Sequence, residues 1–151
     1  MIANPQRRAL AVGKTGCLFL VLLGIAEEAG AGPRDILATF DMAARRGLVG
    51  NDCFMRDPAG FMAILCGGTW TYRKAGPGHE LPLDYKCQPG EFDIVRYQRT
   101  PGPGETEDDC AHFVRGDGRG TLTVGGDPMG ASKTVAEGHV VSRRIVSRAS
   151  P

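Results

Sequence analysis

At 151 residues, with 42% apolar and 23% charged residues, the chain has the size and make-up of one globular domain and can bury about two-thirds of its unfolded surface. Its 18 basic and 17 acidic residues leave a net charge of +1, which gives no electrostatic footprint for nucleic acid or a membrane surface. Aromatic residues at 7% argue against a base-stacking platform, and 22 glycines with 10 prolines predict a chain rich in loops.

The N-terminal stretch is read first. Arg7, Arg8 and Lys14 precede an apolar run from Cys17 to Ala26, and Ala29-Gly-Ala31 follows. That order is similar to the charged, apolar and small-residue regions of a secretory signal. Glu27-Glu28 breaks it, and the run is too short to span a bilayer. A buried helix is therefore expected, with no cleaved signal peptide. Thr15 or Gly16 starts that helix, and Leu18-Phe-Leu-Val-Leu-Leu23 predicts burial nearly all round. Glu27-Glu28 returns to solvent, and Gly30 to Gly32 ends it.

A second helix follows, with Pro33 at its first position and Asp35 in its first turn. Ile36, Leu37, Phe40 and Ala44 predict its apolar face, and Gly47 its left-handed end. A third, short helix has Asp57 as cap and Pro58 behind it, buries Phe61, Ile64 and Leu65, and stops at Gly67-Gly68. No helical pattern returns after that. Strands are predicted at 92–97, 110–115, 121–124 and 140–146 in an antiparallel sheet, with 110–115 turning its Cys110, His112 and Val114 to one side. Asp117-Gly118 marks a hairpin turn. The fold class is α+β: a single domain over 1–151, with a helical half at 1–68 and a sheet half at 69–148.

The five cysteines, Cys17, Cys53, Cys66, Cys87 and Cys110, are odd in number and form no C-x-x-C pair. Free thiols in a reducing compartment are expected, not a disulfide scaffold. Cys110-Ala-His112 with Cys87 offers zinc-binding atoms, but the spacing matches no common finger, and no metal or cofactor is expected.

Of the five, Cys17 stands where the macrodipole of a buried helix stabilises negative charge. Thiols so placed can fall from a pKa of about 8.5 to roughly 3.5–7.5 beside an imidazole, and the backbone N–H groups there can receive an oxyanion. His112, central in a strand, is followed by a hairpin and then by Asp127-Pro128, fifteen positions on. That order offers a base and a carboxylate to orient it. His139 and Asp117 are the rival base and orienter; His79 lies in a Gly-Pro loop. Gly13-Lys14-Thr15 lacks the earlier glycine of a phosphate loop, since Arg8 occupies its place.

Gly16-Cys17 opening an apolar helix, then His112-Phe-Val-Arg-Gly-Asp-Gly, then Val124-Gly-Gly-Asp127-Pro128, resembles the papain-like cysteine peptidase superfamily. The nearest patterns are the bacteriocin-processing domains of peptide exporters and small spirochaete and phage proteins. The resemblance implies N-terminal helices packed on a C-terminal antiparallel sheet and a catalytic set of Cys17, His112 and Asp127. It also implies a thiol hydrolase that cleaves a peptide or peptidoglycan amide, cytoplasmic or virion-associated, with a peptide or cell-wall peptide as its partner. Such peptidases usually carry a glutamine shortly before the cysteine; here the stretch is Leu10-Ala-Val-Gly-Lys14, and Gln6 lies eleven positions upstream. The alternative expectation is a catalytically inactive papain-like module with structural or binding duties, such as a phage particle component with assembly partners.

Overall fold

The computed structural model describes residues 16–50, 54–119 and 133–149. Among them are four α-helices and a four-stranded antiparallel sheet, an α+β fold. The chain divides into two compact units, Met1–Trp70 with Ala149–Pro151, and Thr71–Arg148. The predicted strand at 121–124 lies outside the described residues.

In the first unit, helix α1 spans Cys17–Ala26, with Gly16 as its N-cap. Phe19, Leu22 and Ile25 have no exposed surface, and Gly24 is the one clearly exposed position on the helix. The run is apolar all round because it is enclosed almost all round. It continues through Glu27–Ala31 as a wider turn, where Gly30 takes φ 114° and the Glu27 carboxylate accepts the Arg34 N–H.

Helix α2 spans Ile36–Arg45. Asp35 does not sit in its first turn, as expected, but caps it: the carboxylate accepts the Ala38 N–H at 2.7 Å, which places Pro33 before the helix. Its buried face is also turned from the expected one. Thr39, Phe40 and Ala43 are buried and Ile36 is 45% exposed, because Phe40 meets Phe19 edge-on at 5.5 Å and that contact sets the rotation. At the far end Gly47, at φ 73°, donates to Ala44 O while Leu48 N–H reaches back to Ala43 O, a Schellman closure that only glycine enters without strain.

Helix α3 spans Pro58–Cys66, capped by Asp57 through the Gly60 N–H. Phe61, Met62 and Leu65 are buried, whereas Ile64 is 40% exposed, again a rotation from the expected face. Phe61 packs against Phe19 at 5.5 Å, so one ring on α1 orients both neighbouring helices.

Strand β1 spans Trp70–Ala75, β2 Glu91–Gln98, β3 Ala111–Arg115 and β4 His139–Arg148, in the sheet order β1-β4-β2-β3. Cys110 closes a single 3₁₀ turn before β3, so that strand starts one residue later than predicted. Helix α4, Lys133–Glu137, overturns the expectation that no helix follows Gly68. Five residues are too few to show a helical period. β2 pairs antiparallel with β3, Val95 opposite Val114, and with β4, Val95 opposite Arg143, with a bulge at Arg96/Tyr97. Thr71 bonds to Ser147 and Gly76 lies against Ser142, so β1 runs antiparallel to β4.

The centre of this unit is ionic. Asp93 and Arg143, opposed across one diagonal of β2 and β4, have side chains 1% and 0% exposed and pair at 2.9 Å. Arg143 Nη1 donates to the carbonyls of Leu83 and Tyr85, and Asp93 Oδ2 accepts the Gly118 N–H at 3.0 Å. Around the pair, Ala75, Leu81 and Ile145 pack with Tyr85 and Cys87. Gly116 leaves the space that the Asp93 carboxylate occupies; a methyl group there would overlap it.

Removing one member of a buried pair strands the other charge and costs about 3–5 kcal/mol. Asp93→Ala should lower unfolding stability by about that amount in urea, and Gly116→Ala should act in the same direction. Near-wild-type midpoints for both would show that the pair does not organise the unit.

Candidate active site

Cys17 is the first residue of α1, half-buried, with no side chain capping the helix start and no acidic residue in the first turn. The helix's first bond runs from Leu20 N–H to Gly16 O, so the N–H groups of Cys17, Leu18 and Phe19 have no acceptor within the helix. A sulfur at this position shares its surroundings with donors that suit an anion.

The other described thiols have different environments. Cys66, at the end of α3, directs its Sγ to Ala26 O at 3.5 Å. Cys110 is fully buried. Burial, with Asp93 adding to it, pushes the Cys87 thiol up to about 11, so it stays protonated at neutral pH. Cys53 lies outside the described residues. Among those residues no group of three or more His, Cys, Asp and Glu side chains could hold a metal ion.

His112 sits in the middle of β3, opposite Tyr97 and 7% exposed. The predicted alternation is observed: Cys110, His112 and Val114 are buried while Ala111, Phe113 and Arg115 are half-buried. Cys17 thus belongs to the helical unit and His112 to the sheet unit. Asp127 lies outside the described residues, as does Lys14. Of the rivals, His139 is exposed at the start of β4 opposite Gln98, and His79 is exposed in the turn after β1. Asp117 is exposed and accepts the Arg119 N–H at 2.8 Å, ordinary turn chemistry.

Two charged residues that sequence reasoning passed over prove central to the sheet unit, Asp93 and Arg143. Their signal was present: each charge interrupts a strand-type apolar run, Phe92-Asp-Ile-Val95 and Val140-Val-Ser-Arg-Arg-Ile-Val146. Charges inside buried strands require partners. Beside the pair a cleft of about 360 Å³ opens between Leu83, Asp84, Arg119 and Val140. Arg143 fixes one of its walls by holding the Leu83 carbonyl.

The loop between β2 and β3 is closed by a second ion pair. Arg99 grips Glu105 through both guanidinium amines, and Glu105 also accepts the Gly102 N–H at 2.9 Å. The Arg99 guanidinium, then the Gly102 amide, hold the Glu105 carboxyl at about 2.

Comparison of the chain with family models, with curated proteins and with solved structures finds no match in any of the three. No helix among the described residues is long and apolar enough to cross a membrane.

Because the folded Glu105 carboxyl lies below its ordinary 4.5, its contribution is complete above about pH 5 and is lost as pH falls toward 2. The Gly102 amide resonance should therefore titrate near pH 2, and the stability gap between the wild type and Glu105→Gln should close over that interval. A Gly102 midpoint near 4.5 would contradict the loop clamp.

Proposed function

We propose that the protein is a thiol hydrolase acting on a peptide or peptidoglycan amide, with Cys17 as nucleophile, His112 as base and then acid, and Asp127 as its orienter. One observation carries the reading: of the described cysteines, Cys17 alone opens a buried helix, half-buried and beside first-turn N–H groups that have no acceptor within the helix. In this scheme His112 takes the thiol proton and the sulfur attacks the carbonyl carbon. The first-turn N–H groups of α1 receive the oxyanion. His112 then protonates the departing amine as the C–N bond breaks, leaving a thioester. Water, deprotonated by His112, attacks the thioester and releases the acid and the thiol.

A second reading, a catalytically inactive papain-like module with structural or binding duties, is favoured by the burial of His112 between Cys110 and Val114. A base that meets substrate needs an open side, and a core histidine does not.

Thiol labelling and mutation separate the two. Iodoacetamide at pH 6–7, read site by site by mass spectrometry, should modify Cys17 ahead of Cys66, Cys87 and Cys110. Any amide hydrolysis should vanish in Cys17→Ala, fall nearly as far in His112→Ala, and fall less in Asp127→Asn, since the third group only orients. Adding either second change to Cys17→Ala should cost nothing further. Uniformly slow labelling, or a His112→Ala chain that melts well below the wild type, would move the assignment to the non-catalytic module.

A further inference from the structure

One face of the sheet in the second unit is closed at both ends, by two devices of unequal strength. Asp93, Val95 and Tyr97 of β2 share that face with His112 and Val114 of β3 and with Arg143 and Ile145 of β4. At the Asp93 end the loop through Leu83 and Tyr85 is held to it by the buried Arg143 guanidinium. At the other end stands His112, the second residue of β3. The ladder runs on past it: Arg99 N–H donates to Cys110 O at 3.0 Å, so alternation sends the Arg99 and Cys110 side chains to the His112 side.

Helix α4 closes this end. It packs against β2 and β3 and leads through Gly138 into β4. Its two charged residues, Lys133 and Glu137, complement the Arg99–Glu105 clamp, whose partners meet at 2.8 Å. Arg99 is held charged by Glu105 first, with Cys110 and Glu137 adding to it. The Glu105 carboxyl is lowered by Arg99 first, then by the Gly102 amide, with Lys133 adding to it.

Little else holds α4. Of its five residues Thr134 is buried and Val135 half-buried, while Lys133, Ala136 and Glu137 are exposed. One turn and a half has no stability of its own, and exposed charges bind it weakly. Gly138 is the joint. Its N–H donates to Thr134 O at 2.8 Å, and a Cβ there would come within 2.6 Å of the Gln98 carbonyl oxygen. Segments that bury so few side chains open locally far more cheaply than the whole domain unfolds. The histidine is thus 7% exposed yet lies under the weaker of the two closures.

We propose that α4 is a movable, autoinhibitory cover: closed, it shields the His112 imidazole, and its local opening about Gly138 admits solvent and substrate to that ring. The catalytic consequence rests on the reading of His112 as the base; the opening itself is measured without it.

Reaction of the full chain with diethyl pyrocarbonate, read site by site by mass spectrometry, tests the cover, with exposed His79 as internal reference. In the wild type His112 should react at least about tenfold more slowly than His79, because only the opened population is accessible. Glu137→Lys sets like charge beside Arg99, and Gly138→Ala forces the joint away from Gln98; each should speed His112 about threefold or more and leave His79 unchanged. Amide exchange at Ile94 and Val114 should keep its wild-type rate, since the sheet does not open. If circular dichroism shows Gly138→Ala unfolded, the exposed Glu137→Lys change still decides. An unchanged His112 rate in Glu137→Lys overturns the proposal. So does a rate that rises only in step with Ile94 and Val114 exchange, or a wild-type His112 as reactive as His79. Amide hydrolysis should rise in the variants that uncover His112. Uncovering with no hydrolysis in any variant removes the hydrolase reading and leaves the movable cover standing.

Discussion

The sheet unit is organised around one enclosed ion pair. Asp93 and Arg143 are almost fully enclosed, and each also bonds to the backbone of a different loop: Leu83 and Tyr85 for the guanidinium, Gly118 for the carboxylate. Desolvating two charges is expensive, and such a pair is weak as a source of net stability compared with apolar residues of equal volume. Its effect here is on specification. A slipped register between β2 and β4 would separate the charges inside the sheet, and a displaced loop would leave a donor or acceptor unmatched. Gly116 and the packing of Ala75, Leu81 and Ile145 are consequences of making room for that pair and sealing it.

Much of the local structure was legible in the sequence because short-range chemistry decides it. Asp57-Pro58 at the start of α3, Gly47 at the end of α2 and the alternation through His112 each follow from backbone rules that distant residues do not alter. The faces of α2 and α3 were not legible in the same way. Ile36 and Ile64 satisfy the helical period yet are exposed, because the rotation of each helix is set by where Phe40 and Phe61 meet Phe19. That is tertiary information, and periodicity admits more than one solution. Helix α4 escaped for a different reason: one turn and a half contains no repeat to detect.

The site shows the same division. The placement of Cys17 could be read from Gly16 and the apolar run, since a helix start is a local event. The distinction among the thiols could not. Cys87 is held protonated by its burial and by Asp93, and Cys66 is directed at the Ala26 carbonyl by the packing of α3. Neither environment has a sequence signature, and both set Cys17 apart among the described cysteines. His112 is the ambiguous member because the same alternation that aligns it with Cys110 and Val114 also buries it.

Composition averages over what strand alternation segregates. Near-neutrality is an average over the chain. The period-two geometry of a strand sends Asp93 to one side and Phe92 and Ile94 to the other, so adjacent residues enter different environments. On one side carboxylate and guanidinium neutralise each other beneath the loops. On the other, Arg115 lies over the ring of Phe92, and Arg96 and Arg144 lie over that of Phe113. Cation–ring contact is favourable for a guanidinium held over an aromatic face. The two faces therefore follow from one choice of register: the pairing that sets Asp93 diagonal to Arg143 also sets Arg96 opposite Phe113 and Ile94 opposite Arg144.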